Sequence, residues 1–217
     1  MNVRAEGAGL PAHEVVYRTL RGMVLFGELE PGQPVTIQGL VEGLGAGMTP
    51  VREALRRLTA EGALAFQGNR RIIVPVLDSA AVEDLTLARI ALEPALAGRA
   101  AQRCAADDIA RLRDTDARLD AAIARGDVRG YLEENHRFHA ELNALAQAPI
   151  LTDLVEGLWL RFGPSLRVVC GRFGTQSLPD RHKDILAALQ DSDAEAAAVA
   201  MESDVVQGME QIGACLA

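Results

Sequence analysis

The stretch Thr36-Ile37-Gln38-Gly39-Leu40-Val41-Glu42-Gly43-Leu44-Gly45-Ala46-Gly47-Met48-Thr49-Pro50-Val51-Arg52-Glu53-Ala54-Leu55-Arg56-Arg57-Leu58 decides the fold of the first third of the chain. Thr36 has the chemistry of a helix N-cap, and Ile37, Leu40, Val41 and Leu44 follow at i, i+3, i+4 and i+7, which is one apolar helix face. Gly45-Ala46-Gly47 breaks that helix. Thr49 reads as a second N-cap, with Pro50 at the first helical position, where a missing N–H costs nothing. Val51, Ala54, Leu55 and Leu58 then repeat the apolar spacing. Two short amphipathic helices across a glycine turn predict a helix-turn-helix.

Upstream, Val16, Leu20, Met23 and Val24 give a first helix that Gly27 ends, and Glu30-Pro31-Gly32-Gln33-Pro34 reads as a turn. Downstream of Glu61-Gly62 the period changes to two. Leu64 and Phe66, then Ile72 and Val74, alternate about Gln67-Gly68-Asn69-Arg70, which predicts a short hairpin, a wing. Pro75 closes it and Leu77-Asp78-Ser79 reads as a linker. Residues 1–76 are therefore expected to form a winged helix-turn-helix domain, and 77–217 a second domain. In the latter, helices are predicted near 79–104, 107–125, 128–146, 148–170, 177–190 and 193–215, broken at Asp107-Asp108, Gly126-Asp127, Pro149, Gly171 to Pro179 and Asp191 to Asp193. Long helices with short connections predict a compact antiparallel bundle, so the fold class is mainly α.

Composition agrees. The chain has 217 residues, 49% apolar and 24% charged, which excludes whole-chain disorder, and only 4% aromatic, which favours helix over strand. No run of about eighteen uncharged apolar residues is present, so no membrane association is expected. The first fourteen residues lack the apolar segment of a secretory signal. Cys104, Cys170 and Cys215 are scattered, with no CxxC, which fits a reducing cytoplasm. The net charge of -8 divides into +1 over residues 1–76 and -9 over 77–217, so only the first third can approach a polyanion without strong repulsion.

On the helix after Gly47 the apolar stripe leaves Arg52, Glu53, Arg56 and Arg57 facing outward. Three arginines on an exposed helix can reach guanine edges or phosphates in a major groove. The plainer alternative is a solvated face with a Glu53–Arg56 pair. The glycine turn before this helix and the hairpin after it, with Arg70 and Arg71, favour DNA binding.

These residues resemble a known family. Thr49-Pro50-Val51-Arg52-Glu53-Ala54-Leu55, followed by Leu58 and Glu61-Gly62, is similar to the recognition helix of the gluconate-operon-repressor (GntR) family of bacterial regulators, and Gly27-Glu28-Leu29-Glu30-Pro31-Gly32 matches its loop after the first helix. The resemblance implies a double-stranded, palindromic DNA operator as partner, a homodimer, and DNA contacts from Thr49, Arg52, Arg56, Arg57, Arg70 and Arg71. Two departures stand out: Gly47-Met48 replaces the family's Ser-Arg, and Arg70-Arg71 its Arg-Gly at the wing tip.

In the second domain, Asn135 and His139 are four apart and share one helix face, while His182 and Asp204 lie on later helices. Imidazoles and carboxylate or amide oxygens from facing helices are the parts of a first-row metal site, although two unrelated histidines packed for structure would look the same in sequence. This half resembles the all-helical effector domain, FCD, of the fatty-acid-regulator (FadR) subgroup. Asn135-His136-Arg137-Phe138-His139 matches the first metal-binding motif and His182 the second position. Asp204 stands where a third His is usual. The resemblance implies a divalent metal, zinc or nickel, held by Asn135, His139, His182 and Asp204, with His136 on the surface. Arg89-Ile90-Ala91-Leu92-Glu93 matches the subgroup's Arg-x-x-Leu-Glu, which implies that Arg89 meets the carboxylate of a small effector, with Arg161 and Arg167 as further candidates. The alternative for Arg89 is an i,i+4 surface pair with Glu93.

The expectation is thus a ligand-responsive, DNA-binding transcriptional regulator rather than an enzyme. No GxSxG, P-loop, GxGxxG or HExxH is present. A metal-dependent enzyme using the His pocket, and a regulator that has lost DNA binding and acts through protein contacts, are the two rival readings.

Overall fold

The computed structural model describes residues 10–68, 71–175 and 180–216. The chain falls into two compact units, one of Met1–Val76 with Trp159–Ser165, the other of Leu77–Leu158 with Leu166–Ala217.

In the first unit, helix α1 (Ala12–Leu25) is followed by strand β1 (Pro34–Val35), helices α2 (Ile37–Leu44) and α3 (Met48–Ala60), and strands β2 (Ala65–Gln67) and β3 (Arg71–Ile73). The Thr36 hydroxyl accepts from the Gly39 N–H at 3.2 Å, so the predicted cap of α2 is present. Gly45 ends α2 in the left-handed conformation at φ 61°, which glycine adopts without a Cβ penalty. The start of α3 differs from the sequence expectation. Its N-cap is Gly47, with Met48, Thr49 and Pro50 all inside the first turn. Glycine is accepted at an N-cap without a side-chain bond, so Thr49 is not needed there. Val51, Ala54, Leu55 and Leu58 are buried, and α3 packs on α1 through Val16, Leu20 and Val24.

The hairpin pairs Phe66 with Ile72 and Gln67 with Arg71. Pro34, the last residue of the turn expected from the sequence, and Val35 form an edge strand on β3, giving the order β1-β3-β2. Proline tolerates that place because an edge strand can leave one side without donors.

The second unit is helical: α4 (Ser79–Ala101), α5 (Ala106–Arg125), α6 (Val128–Leu145), α7 (Pro149–Phe173, of which Trp159–Ser165 falls in the first unit), α8 (His182–Gln190) and α9 (Ala194–Leu216). Asp78 caps α4 by accepting from the Ala81 N–H at 2.8 Å, and Asp127 caps α6 through the Gly130 N–H at 2.9 Å. α7 runs past Gly171 and stops at Gly174, where φ is 73°. α8 begins at His182 rather than near 177, with Arg181 as its N-cap and the Asp180 carboxylate accepting from the His182 N–H at 3.1 Å. Residues 177–179 lie outside the described residues. α4 packs against α9, α6 and α8, and α5 against α6 and α8. Leu96, Leu112, Leu119, Phe138, Leu142, Ile185, Met201 and Val205 form the core, each stabilising the bundle by about 1.5–3 kcal/mol through removal from water.

Candidate nucleic-acid interface and candidate metal centre

On α3, burying the Val51–Leu55–Leu58 stripe turns Thr49, Arg52, Glu53, Arg56 and Arg57 outward, and all five are exposed. Arg57 is engaged. Its Nε lies 3.1 Å from Glu61, a terminal nitrogen lies 3.2 Å from Glu14 on α1, and the guanidinium stands 3.5 Å above the Tyr17 ring. The Tyr17 hydroxyl donates to the same Glu61 carboxylate at 2.9 Å. Burial, then the Glu61 carboxylate, raise the Tyr17 pKa above its ordinary value. The result is a tie between α1 and the end of α3. Arg71 is exposed at the start of β3, and Arg70 lies outside the described residues. Met48, in the first turn of α3, is 53% exposed.

In the second unit, His139 from α6, His182 from α8 and Asp204 from α9 each offer one ligand atom within 4.8 Å of the others. His139 and His182 are fully enclosed, with ring centroids 5.3 Å apart. Phe138 stacks on His182 at 3.8 Å and 10°, which fixes the tilt of that ring. His139 Nε2 is 3.3 Å from Asp204 Oδ2. His182 Nδ1 lies 3.3 Å from Asp116 on α5, and His182 Nε2 is buried with no hydrogen-bond partner among the described residues. A buried ring nitrogen of this kind is costly unless something accepts its interaction, so the donor set fits a bound cation. Asn135 is half-buried one turn before His139 on the same helix.

Burial opposes charge on His139, but the hydrogen bonds with Asp204 and Glu93 outweigh it and raise the pKa to about 9. Burial works against ionisation of Asp204 as well, yet His139 holds its carboxyl well below the usual range. Arg89 is not on the surface. It is buried on α4, where Nε donates to Glu93 Oε1 at 2.5 Å and a terminal nitrogen to Oε2 at 3.3 Å. Glu93, itself fully buried, places Oε2 3.4 Å from His139 Nδ1. The i,i+4 pair expected as the plain alternative is therefore formed, but inside the bundle. His136, expected on the surface, is instead largely enclosed: its side chain is 15% exposed and Nε2 lies 3.2 Å from Glu156 of α7. Arg167 is half-buried and Arg161 exposed on α7. The contact of Glu93 with His139 had no signal in the sequence beyond its pairing with Arg89, and Asp116 had none beyond being an acidic residue on a helix.

Residues 12–74 match the gntR family of bacterial regulatory proteins, and residues 84–206 match the FCD domain. The chain belongs to the GntR family and carries an FCD domain. As such it is a DNA-binding transcriptional regulator with an effector domain. It is 29% identical over 183 residues to the HTH-type transcriptional regulator McbR of Escherichia coli K12, covering 83% of each chain. It is 27% identical over 206 residues to the HTH-type transcriptional repressor RspR of the same organism, covering 93% of this chain and 89% of that one. The solved structure of E. coli McbR/YncC superposes with a TM-score of 0.87 at 26% identity, over 94% of this chain and 97% of the other. A putative GntR regulator from Rhodococcus sp. RHA1, 22% identical, shares the fold with a TM-score of 0.77 over 92% of this chain and 96% of the other. These relatives carry regulator names and none is named as an enzyme. No described helix is long and apolar enough to cross a membrane.

Proposed function

We propose that this regulator is a homodimer whose residues 1–76 read a palindromic operator while residues 77–217 sense a small organic acid through a bound divalent metal. The observation that carries the sensing part is the enclosed grouping of His139, His182 and Asp204, with the His182 Nε2 unpartnered among the described residues. Asn135 supplies a fourth donor from the turn before His139. Two imidazoles with a carboxylate and an amide oxygen suit zinc or nickel. Relative to a three-histidine set, the Asp204 oxygen moves the preference toward harder ions such as manganese. When bound, the ion supplies a positive centre that a carboxylate can approach. The effector's second contact is an arginine. Arg167 offers a half-buried guanidinium, while Arg89 could meet the acid only by sharing or leaving Glu93.

On DNA, Arg52 and Arg56 are the base- or phosphate-reaching residues of α3, with Thr49 at its start and Arg70 and Arg71 on the wing. Arg57 contributes chiefly by tying α3 to α1, as its three contacts with Glu14, Glu61 and Tyr17 support. A dimer doubles these few contacts across two half-sites.

The test combines metal analysis of purified protein, thermal shifts with a panel of organic acids, and a gel shift on the promoter of its own gene. The reading expects a stoichiometric metal, one acid class that raises the melting temperature, and a shifted band that this acid alters. A metal-free protein stabilised by no acid would overturn the sensing part, and no band at low salt would overturn operator binding.

A further inference from the structure

His182 belongs to two groupings of possible metal ligands. One is the set with His139 and Asp204; the other joins Asp116 on α5 and Asp180 just before α8. The second has the acids of a cation site, but a cation is already there. Lys183 Nζ lies 2.9 Å from Asp116 Oδ2 and 2.9 Å from Asp120 Oδ1. Asp180 Oδ1 is also used, accepting from the His182 backbone N–H at 3.1 Å. What remains for Asp116 is its Oδ1, 3.3 Å from His182 Nδ1. Lys183, Asp116 and His182 therefore form a line: ammonium, carboxylate, imidazole. The nitrogen at the far end of that line, Nε2, is the buried one without a hydrogen-bond partner among the described residues.

A neutral imidazole carries one proton, and the partner of one nitrogen decides which nitrogen keeps a lone pair. An ionised carboxylate can only accept. Asp116 thus draws the proton to Nδ1 and leaves Nε2 as a lone pair aimed away from it. The neighbouring ring differs in standing between two carboxylates, with Glu93 3.4 Å from His139 Nδ1 and Asp204 3.3 Å from His139 Nε2. Lys183 keeps the charge of the buried Asp116 balanced, without which its burial would be costly.

We propose that Asp116 is a positioning residue that fixes His182 as its Nδ1–H tautomer and so presents Nε2 to the metal shared with His139 and Asp204. This rests on the metal reading above, and the experiment separates the two. Zinc affinity is measured by competition with a chromophoric chelator for the full-length protein and for Asp116→Asn, Asp116→Ala and Asp120→Asn. The Asn variant is the discriminating one. Lys183 can only donate, so it will take the amide oxygen and turn the NH2 toward His182 Nδ1. That NH2 donates to Nδ1 and drives the ring proton onto Nε2, where the metal should bind. Asp116→Asn, although isosteric, should then lose affinity by about 10–100-fold, at least as much as Asp116→Ala. Asp120→Asn, which also releases one partner of Lys183 but does not touch His182, should keep the wild-type affinity.

A purely structural Asp116 would instead make Asn milder than Ala, and that order would overturn the proposal. So would an equal loss in Asp120→Asn. Nitrogen-15 spectra of the metal-free, histidine-labelled wild-type protein give the tautomer directly, whether or not a variant folds. An Nδ1–H ring at His182 supports the proposal and an Nε2–H ring overturns it. If His139→Ala binds zinc as wild type does while the tautomer is as expected, the metal reading fails and the hold of Asp116 on the ring stands.

Discussion

His139 sits between two carboxylates from different helices, Glu93 of α4 and Asp204 of α9, and is buried. Removing that ring leaves two acids facing a cavity, so His139→Ala should abolish most of the bound metal, as should His182→Ala. His136→Ala should retain it, because His136 turns to Glu156. Metal content by elemental analysis checks all three, and equal loss in the three variants would contradict the assignment. Arg57 gives a second residue-scale prediction. Arg57→Ala should lower stability by about 1 kcal/mol through loss of the Tyr17 stack and the two acid contacts, while costing less operator affinity than Arg52→Ala or Arg56→Ala. Denaturant melts and anisotropy titrations on the same variants separate the two effects. The sequence made the His139–His182–Asp204 grouping legible through its match to a motif, and the Arg89–Glu93 pair through its spacing of four. It could not show that the pair is buried. The i,i+4 spacing is the same on either face of a helix, and the apolar stripe of α4 is too diffuse to orient it.

At the scale of the elements, α2 and α3 were readable because each signal is local: the Thr36 cap, the two glycines of the turn and the apolar spacing all lie within a few residues. β1 was not, since Pro34 and Val35 are too few to show a period and owe their strand conformation to pairing with Ile73 and Ile72. The start of α3 was misplaced for a related reason. Gly47 caps through backbone conformation alone, at φ -72° and ψ 157°, and leaves no side-chain mark. Met48 is the first residue of α3, exposed beside the free N–H groups that favour a phosphate. Met48→Arg should tighten operator binding at low salt and steepen the slope of log K against log salt by about one unit for each protomer engaged. Fluorescence anisotropy at several salt concentrations measures it, and an unchanged slope would mean that position 48 does not face phosphate.

For the whole molecule, the charge is +1 over residues 1–76 against -9 over 77–217, so the first part of the chain is the one that approaches a polyanion without strong repulsion. A true effector binding only the folded effector domain should stabilise it by about 2.7 kcal/mol at a hundredfold excess over its Kd, which a thermal shift reads easily. The bundle itself is closed by its ends: α4, its first helix, packs against α9, its last. A ribosome adds about 5–20 residues per second, so Glu93 and Asp204, the two acids that flank His139, emerge on the order of ten seconds apart. The Arg89–Glu93 pair lies within one helix and can form as soon as α4 is out of the exit tunnel. The apolar side of α4 meets α6 and α8 before α9, but its most extensive packing is with α9. Burial of that side is therefore complete only once α9 has docked, and until then part of the apolar surface of α4 is open to the chaperones that hold half-made chains.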